Sequence, residues 1–183
     1  MGFEQSLHEV AIYRRGNGGN ALLVGVYVDD LVITGTKDAE VAAFKEEMTT
    51  TFQMSDLGPL SFYLGIEVHQ DDSGITLRQT TYAKRVVELA GLTNCNLTLT
   101  PMEERLKLCR DSTMEEQPTT ERQAMKRIIR YVAGTLDDGL YYLRCLGEAH
   151  FVEYSNSDHA GDIDTTNSMS GILFFLSKCL VSW

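Results

Sequence analysis

The alternation of apolar and polar positions along the chain predicts a mixed succession of strands and helices. Residues 21–28 and 31–34 have the pattern of two strands of one hairpin, and residues 8–15 that of a strand before them. Apolar residues recur at helical spacing in three segments, at about 38–52, 81–90 and 120–133. Further predicted strands cover 61–69, 75–78, 140–144, 150–156, 170–176 and 180–183. The pattern therefore predicts an α+β fold.

Individual residues predict where these elements begin and end. Threonines that precede an apolar-periodic segment are good N-caps, and a glycine just beyond such a segment ends a helix. The expected caps and stops are Thr80 or Thr81 and Gly91 for the second helix, and Thr119 or Thr120 and Gly134 for the third. Residues 92–118 are polar and irregular, which predicts a linker or a poorly packed join.

Two adjacent aspartates, Asp29 and Asp30, interrupt the apolar run of residues 22–33. Carboxylates are rarely placed in such a run without a partner, and here they form the predicted two-residue connection of the hairpin. One hypothesis is a site for a divalent cation that carries a phosphate, to which another strand adds a third carboxylate. The alternative is a solvated turn that binds no metal.

Net charge adds a second constraint. The chain carries a formal charge of −10 and has a pI of about 4.8, which counts against free-standing nucleic-acid binding. Its one concentrated basic surface is predicted on the third helix, where Arg122, Lys126 and Arg130 follow at intervals of four. This stripe is either a solvated helix face or a set of phosphate contacts.

The cysteines and the N-terminus bear on localisation. The four cysteines have no Cys-x-x-Cys spacing, which is typical of reduced thiols, and we expect an intracellular protein of the cytoplasm or nucleus. The sequence shows no signal peptide and no apolar stretch long enough for a membrane span, so no membrane partner is expected. Gly2 and Ser6 match the loose pattern for N-myristoylation, and the sequence leaves that modification open.

The surroundings of the aspartates resemble a known family. Tyr27-Val28-Asp29-Asp30 is similar to the Tyr-x-Asp-Asp hairpin of reverse transcriptases. Nearly the whole chain resembles retrotransposon polyproteins of the Ty1/copia class. The segments that carry this resemblance are LLVGVYVDDLVITG (22–35), MSDLGPLSFYLGIE (54–67), QTTYA (79–83), RIIRYVAGTL (127–136) and YSNSDHAGDIDTTNSMSGILFFLSKCLVSW (154–183).

The resemblance implies a domain organisation. It assigns residues 1–113 to the reverse transcriptase palm and the region after it, with an N-terminal truncation. It makes 114–147 an internally shortened connector with the basic helix, and 148–183 the start of an RNase H-like domain that is truncated at its C-terminus. The implied fold is an antiparallel palm-like sheet with helices, followed by an incomplete RNase H-like sheet.

The resemblance also implies site residues, a cofactor and partners. Asp29 and Asp30 would be catalytic ligands of Mg²⁺ or Mn²⁺, Tyr27 would lie near the primer end, and an RNA/DNA template-primer would be the partner. The RNase H motif Tyr-Ser-Asp-x-Asp is degenerate here, because Asn156 takes the place of its first metal-binding aspartate. An amide oxygen is a weaker ligand for a hard cation, so no RNase H activity is expected.

These implications lead to one functional expectation and one alternative. The expectation is a retrotransposon-derived fragment of an RNA-directed DNA polymerase, with two-metal nucleotidyl transfer in its ancestry. We expect it to be inactive as this chain, because the third metal-binding aspartate of the family lies upstream of Met1. The alternative is a non-enzymatic remnant that acts as a small binding or interaction protein. Exposed sheet edges would favour self-association in either case.

Overall fold

The computed structural model describes residues 2–103, 117–144, 148–158 and 168–183. The chain divides into two compact units, Met1–Leu60 and Ser61–Trp183. Both units contain antiparallel sheets, and the described residues include three α-helices. The predicted α+β class is therefore confirmed at the level of a mixed fold with antiparallel sheets. The predicted join at 92–118 lies partly outside the described residues, which omit 104–116.

The first unit is a four-stranded antiparallel sheet with one helix. The strand order is β1-β2-β3-β4, so that β4 lies at an edge of the sheet. The strand predicted over 8–15 is confined to Ile12–Arg15 in the structure, and residues 8–11 lie in a loop before it. The elements are β1 (Glu4–Gln5), β2 (Ile12–Arg15), a 3-10 turn (Gly18–Asn20), β3 (Leu22–Tyr27), β4 (Asp30–Gly35) and α1 (Asp38–Thr51).

The core of this unit lies between the sheet and α1. Leu22, Val24 and Phe44 are almost fully buried, with exposures of 1%, 4% and 3%. Because strand side chains alternate, Leu22 and Val24 share one face of β3, and that face packs against the helix residue Phe44. The ring of Phe3 lies 5.0 Å from that of Phe44, and the Arg15 guanidinium lies over both rings. Burial of these side chains fixes which face of the sheet α1 covers.

The described residues of the second unit form two sheets and two helices. One sheet has the order β5-β6-β7-β8 and the other the order β11-β10-β9. The elements are β5 (Phe62–Tyr63), β6 (Ile66–Asp71), β7 (Gly74–Arg78), α2 (Thr80–Leu89), α3 (Gln117–Gly134), β8 (Leu140–Leu143), β9 (Phe151–Ser157), β10 (Ser170–Leu176) and β11 (Cys179–Ser182). Gly91 has φ +67 just beyond α2, as expected of the residue that ends a helix.

The predicted continuous strand over 61–69 is wrong. Tyr63 pairs with Ile66, so Leu64 and Gly65 form a two-residue turn between β5 and β6. Both turn residues have positive φ, +50 and +84, which is the pattern of a type I′ hairpin turn. The apolar alternation through Leu64 resembles an uninterrupted strand, but Gly65 allows the chain to reverse there.

The second helix begins differently from the sequence-based expectation. Thr80 is its first helical residue and Gln79 is the N-cap, without a side-chain cap bond. The cap is supplied from β6, because the Thr81 N–H donates to Glu67 Oε1 at 2.7 Å. The Thr80 hydroxyl donates instead to the Leu136 carbonyl at 3.0 Å. A tertiary carboxylate therefore replaces the threonine cap that the sequence predicts.

The third helix is longer than predicted. It begins at Gln117, upstream of the expected Thr119 or Thr120 cap, and Gly134 is its last residue. Pro118 is thus in the first turn, where the missing N–H has no intrahelical partner to lose. Ala124, within the segment predicted as the third helix, is buried at 6% exposure. In the part of the chain that the structure describes, no helix is long and apolar enough to cross a membrane.

Candidate metal-binding hairpin

The two aspartates lie at the tip of the β3–β4 hairpin. Tyr27 and Asp30 are the last directly opposed pair of the two strands. The two-residue turn is therefore Val28-Asp29, and the expected Asp29-Asp30 connection is wrong by one position. Both aspartates are exposed. One carboxylate thus belongs to the turn and the other to the first residue of β4.

Val28 has the least usual backbone of the hairpin. Its φ is +56, and of the two turn residues it alone has a positive value. A positive φ at the first turn position is the pattern of a type II′ turn, in which glycine is usual. A β-branched residue in this region is strained by about 1–3 kcal/mol. Strain of this kind at an exposed turn is a common feature of functional sites.

The hairpin has one covered face and one open face. Val26 and Leu31 are opposed on the strands and pack against the core under α1. Because side chains alternate, Tyr27 and Asp30 lie on the opposite face of the sheet. Tyr27 is 48% exposed. The phenol ring and the Asp30 carboxylate are therefore presented together on the face that α1 does not cover.

The donor set suits a hard divalent cation but is small. Exposed carboxylate oxygens are the ligands that Mg²⁺ and Mn²⁺ prefer. Within the described ranges, however, no group of three or more His, Cys, Asp or Glu residues is placed to hold a metal ion. Asp29 and Asp30 can thus supply two carboxylates at one tip. A third would have to come from a segment that lies beside them.

The open edge of β4 is where such a segment would fit. Within the described part of the first unit, β4 pairs with β3 on one side and with no strand on the other. Antiparallel or parallel strands lie about 4.8 Å apart, so a strand paired with β4 would run next to Asp30. The sheet topology therefore leaves room for one more strand at the carboxylate that begins β4.

The predicted basic stripe on α3 is divided by the structure. Arg122 and Lys126 are exposed, whereas Arg130 is half-buried. Arg130 Nε donates to the Asn96 carbonyl at 2.5 Å. Its neighbour Arg127 donates to the Thr100 carbonyl and hydroxyl and to Glu103 at 2.9–3.2 Å. These two arginines hold the segment after α2 against α3. Of the three predicted stripe residues, only Arg122 and Lys126 are exposed.

Asn156 lies in β9, opposite Gly171 of β10. The residue is exposed, as is every residue of β9. Asp158 follows the strand, and its N–H donates to the Met169 carbonyl. Asp162 and Asp164, the other acidic residues of this region, lie outside the described residues. The structure therefore places Asn156 in a regular strand.

Three other carboxyl groups have lowered pKa values, each for a local reason. The Gly58 N–H and then Lys45 lower the pKa of Asp56. Hydrogen bonds from the Thr81 hydroxyl and N–H lower the pKa of Glu67. The Ser73 hydroxyl and N–H lower the pKa of Asp71. These groups are structural, and none belongs to the hairpin tip.

Comparison with known proteins gives the class. The family model described as "Reverse transcriptase (RNA-dependent DNA polymerase)" matches residues 1–104, which include the β3–β4 hairpin. The chain therefore belongs to the reverse transcriptase family. No solved structure gave a significant match.

The relatives narrow this class to retrotransposon polyproteins. The chain is 28% identical to the retrovirus-related Pol polyprotein from transposon TNT 1-94 of Nicotiana tabacum, over 93% of the chain and 16% of that polyprotein. It is 26% identical to that from transposon RE1 of Arabidopsis thaliana, over 100% of the chain and 15% of the polyprotein. An uncharacterised mitochondrial protein of Arabidopsis thaliana is 28% identical, over 86% of the chain and 80% of its own length. The resemblance to retrotransposon polyproteins is thereby confirmed.

Two features of the site could not be found from the sequence. The positive φ of Val28 could not be predicted from the sequence Val28-Asp29, because aspartate adopts left-handed angles more readily than valine does. The structural role of Arg130 depends on Asn96, which lies 34 positions away in the chain. Helical spacing predicted that Arg130 shares a face of α3 with Arg122 and Lys126. It could not predict that the segment around Asn96 lies against Arg130.

Proposed function

We propose that the β3–β4 hairpin is the metal-binding hairpin of a reverse transcriptase palm. The observation that carries this proposal is the placement of Asp29 in the turn and Asp30 beside Tyr27, all exposed at one tip. In two-metal nucleotidyl transfer, Mg²⁺ or Mn²⁺ ions activate the attacking 3′ hydroxyl and stabilise the leaving oxygens. Asp29 and Asp30 would hold the ions, and Tyr27 would position the primer end from the open face.

We propose further that the chain does not polymerise by itself. Two exposed carboxylates without a third bind Mg²⁺ weakly, and the described residues place no third one with them. The net charge of −10 also opposes a hold on template and primer. The exposed Arg122 and Lys126, with Arg130 beside them, would supply at most a local phosphate contact. The RNA/DNA partner of the family would therefore bind weakly here.

A primer-extension assay tests the inactivity. The full chain, with an RNA template, a DNA primer and either Mg²⁺ or Mn²⁺, should extend no primer above the level of an Asp29→Asn Asp30→Asn double variant. Template-dependent synthesis that disappears in the double variant would contradict the inactivity. It would also support the role of the hairpin.

The sheet β9–β11 supports a second proposal. We propose that residues 148–183 correspond to the first strands of an RNase H-like domain whose nuclease chemistry is lost. The support is a three-stranded antiparallel sheet with Asn156 on its first strand. No cleavage of the RNA strand of an RNA/DNA hybrid is expected, either from the chain or from an Asn156→Asp variant. Cleavage that appears on restoring the aspartate would show that the other ligands are in place.

The alternative function is a non-enzymatic one, a small binding or interaction protein. Many large apolar side chains among the described residues are exposed, which favours contacts with other surfaces.

A further inference from the structure

Strand β9 leaves one edge of its sheet without a neighbouring strand among the described residues. Every residue from Phe151 to Ser157 is exposed. Phe151 and Tyr154 are 65% and 59% exposed, although both are aromatic. A long, exposed edge rich in aromatic and β-branched residues is a template for pairing with another strand. This edge carries a single charge, Glu153.

The register shows which backbone groups face the open edge. β9 and β10 pair without interruption from Phe151 with Leu176 to Ser157 with Ser170. Just beyond the two ends of β9, Asp158 N–H donates to the Met169 carbonyl and the His150 carbonyl accepts from Ser177 N–H. Because hydrogen bonding alternates along an antiparallel strand, even-numbered residues bond to β10. The residues with outward N–H and C=O groups are Phe151, Glu153, Ser155 and Ser157.

We propose that two copies of the chain associate by antiparallel pairing of β9 with β9, centred on Tyr154. This register places Glu153 opposite Ser155 and Phe151 opposite Ser157, so residues with outward backbone groups face each other. It also separates the two Glu153 carboxylates. A register centred on Glu153 would set these like charges directly opposite each other, which is destabilising. Pairing through Tyr154 uses all seven residues of the strand.

The aromatic side chains favour the same register. Tyr154 contacts Phe175 edge-on, with ring centroids 5.7 Å apart. Tyr154 is an even-numbered residue, so in the dimer it would oppose its own copy as a non-hydrogen-bonded pair. Side chains approach most closely in such pairs. The two tyrosines and the two copies of Phe175 would then form a continuous aromatic row across a six-stranded sheet.

This inference names the partner for the non-enzymatic alternative and rests on β9–β11 alone. It uses no residue of the metal-binding hairpin. Failure of the dimer would leave the metal proposal intact, and failure of metal binding would leave the dimer intact.

Sedimentation velocity on the full chain gives the first test. A dimer that dissociates on dilution is expected. Ser155→Pro removes one outward N–H without removing a bond to β10, and should raise the dissociation constant about tenfold or more. Ser155→Ala keeps that N–H and should dimerise like the unmodified chain. A monomer at every concentration, or a proline variant that dimerises equally well, would overturn the proposal.

Cysteine cross-linking gives a second test that does not depend on a proline. In a chain whose four native cysteines are replaced by serine, Tyr154→Cys is expected to form a disulfide-linked dimer under mild oxidation. Non-hydrogen-bonded pairs bring the two Cα atoms to about 4.5 Å, within the range of a disulfide. Glu153→Cys should cross-link poorly, because it faces Ser155. Equal cross-linking of the two variants would refute the register.

Discussion

At the scale of single residues, Val28 determines how the two aspartates are presented. Its positive φ lets the chain reverse over two residues, so that Tyr27 and Asp30 face each other across the hairpin. The side chain itself is 86% exposed and contributes little burial. The conformation of Val28 therefore costs stability without an apolar gain. The benefit is the placement of an adjacent carboxylate at the tip of the hairpin.

Replacing this residue with glycine should stabilise the first unit. Val28→Gly relieves the left-handed strain, and part of that gain is offset by the greater freedom of glycine in the unfolded chain. We expect the free energy of unfolding to rise by about 0.5–1 kcal/mol. Urea denaturation measures this free energy of unfolding. As a control, Val32→Gly, in the strand next to the turn, should lower the same quantity.

The sequence predicted the hairpin and its aspartates but not the exact turn. The apolar run of residues 22–33 has one polar pair, which marks the reversal to within one position. Turn preferences favour aspartate over valine at left-handed angles, and that preference pointed to Asp29-Asp30. In the structure Tyr27 instead pairs with Asp30, so the turn residues are Val28 and Asp29. Moving the two-residue turn by one position would shift the pairing by two residues and leave Val26 and Leu31 on the same face, so the apolar pattern alone does not distinguish the two turns.

At the scale of elements, contacts from neighbouring elements decide where helices begin. Glu67 of β6 accepts from the first turn of α2, a role that the sequence assigned to a threonine. Contacts from another element also hold the segment after α2, because Arg127 and Arg130 of α3 donate to its carbonyl groups. Local sequence predicts that a helix is present, since propensity and periodicity are local. The partners that satisfy its ends lie elsewhere in the chain and could not be predicted.

The cap predicts a pH dependence of stability. The pKa values of Glu67, Asp56 and Asp71 are lowered in the folded chain, so near pH 4 the unfolded chain binds more protons. Their contribution is complete above about pH 5 and is lost as the pH falls through the lowered pKa values. The melting temperature should therefore fall between pH 5 and pH 3.

Glu67→Gln isolates the part due to the helix cap. The variant should melt below the unmodified chain at pH 6, and the difference in melting temperature should narrow as the pH falls through the lowered pKa of Glu67, because protonation then removes the charge that the variant lacks. Melting followed by circular dichroism at a series of pH values measures the gap. A gap that stays constant with pH would show that the charge of Glu67 has no role in the cap.

The packing of α1 on its sheet predicts a large effect of one core side chain. Phe44 is 3% exposed and contacts Phe3. Phe44→Ala should cost about 3–5 kcal/mol, a large part of the stability of a small unit. Hydrogen exchange of residues 22–35 should accelerate accordingly. Phe52→Ala is the matched control, because Phe52 is 47% exposed and should change exchange little.

At the scale of the whole molecule, the chain combines a family-specific hairpin with an acidic surface. The reverse transcriptase match covers residues 1–104, and the chain spans only 16% and 15% of the length of two related transposon polyproteins. The chain carries 26 acidic and 16 basic residues. A template channel needs the opposite balance. The whole-chain features thus support descent from a polymerase more strongly than polymerisation by this chain.

The central claim is that Asp29 and Asp30 act together as a metal-binding pair, and Mn²⁺ titration followed by paramagnetic broadening of amide NMR signals tests it most directly. We expect weak binding, with a dissociation constant of about 1 mM or above, that broadens the signals of residues 27–31 first. Asp29→Asn and Asp30→Asn should each abolish this broadening, whereas Asp72→Asn in the β6–β7 turn should leave it unchanged. Broadening that is absent from the hairpin, or that persists in both hairpin variants, would contradict the claim.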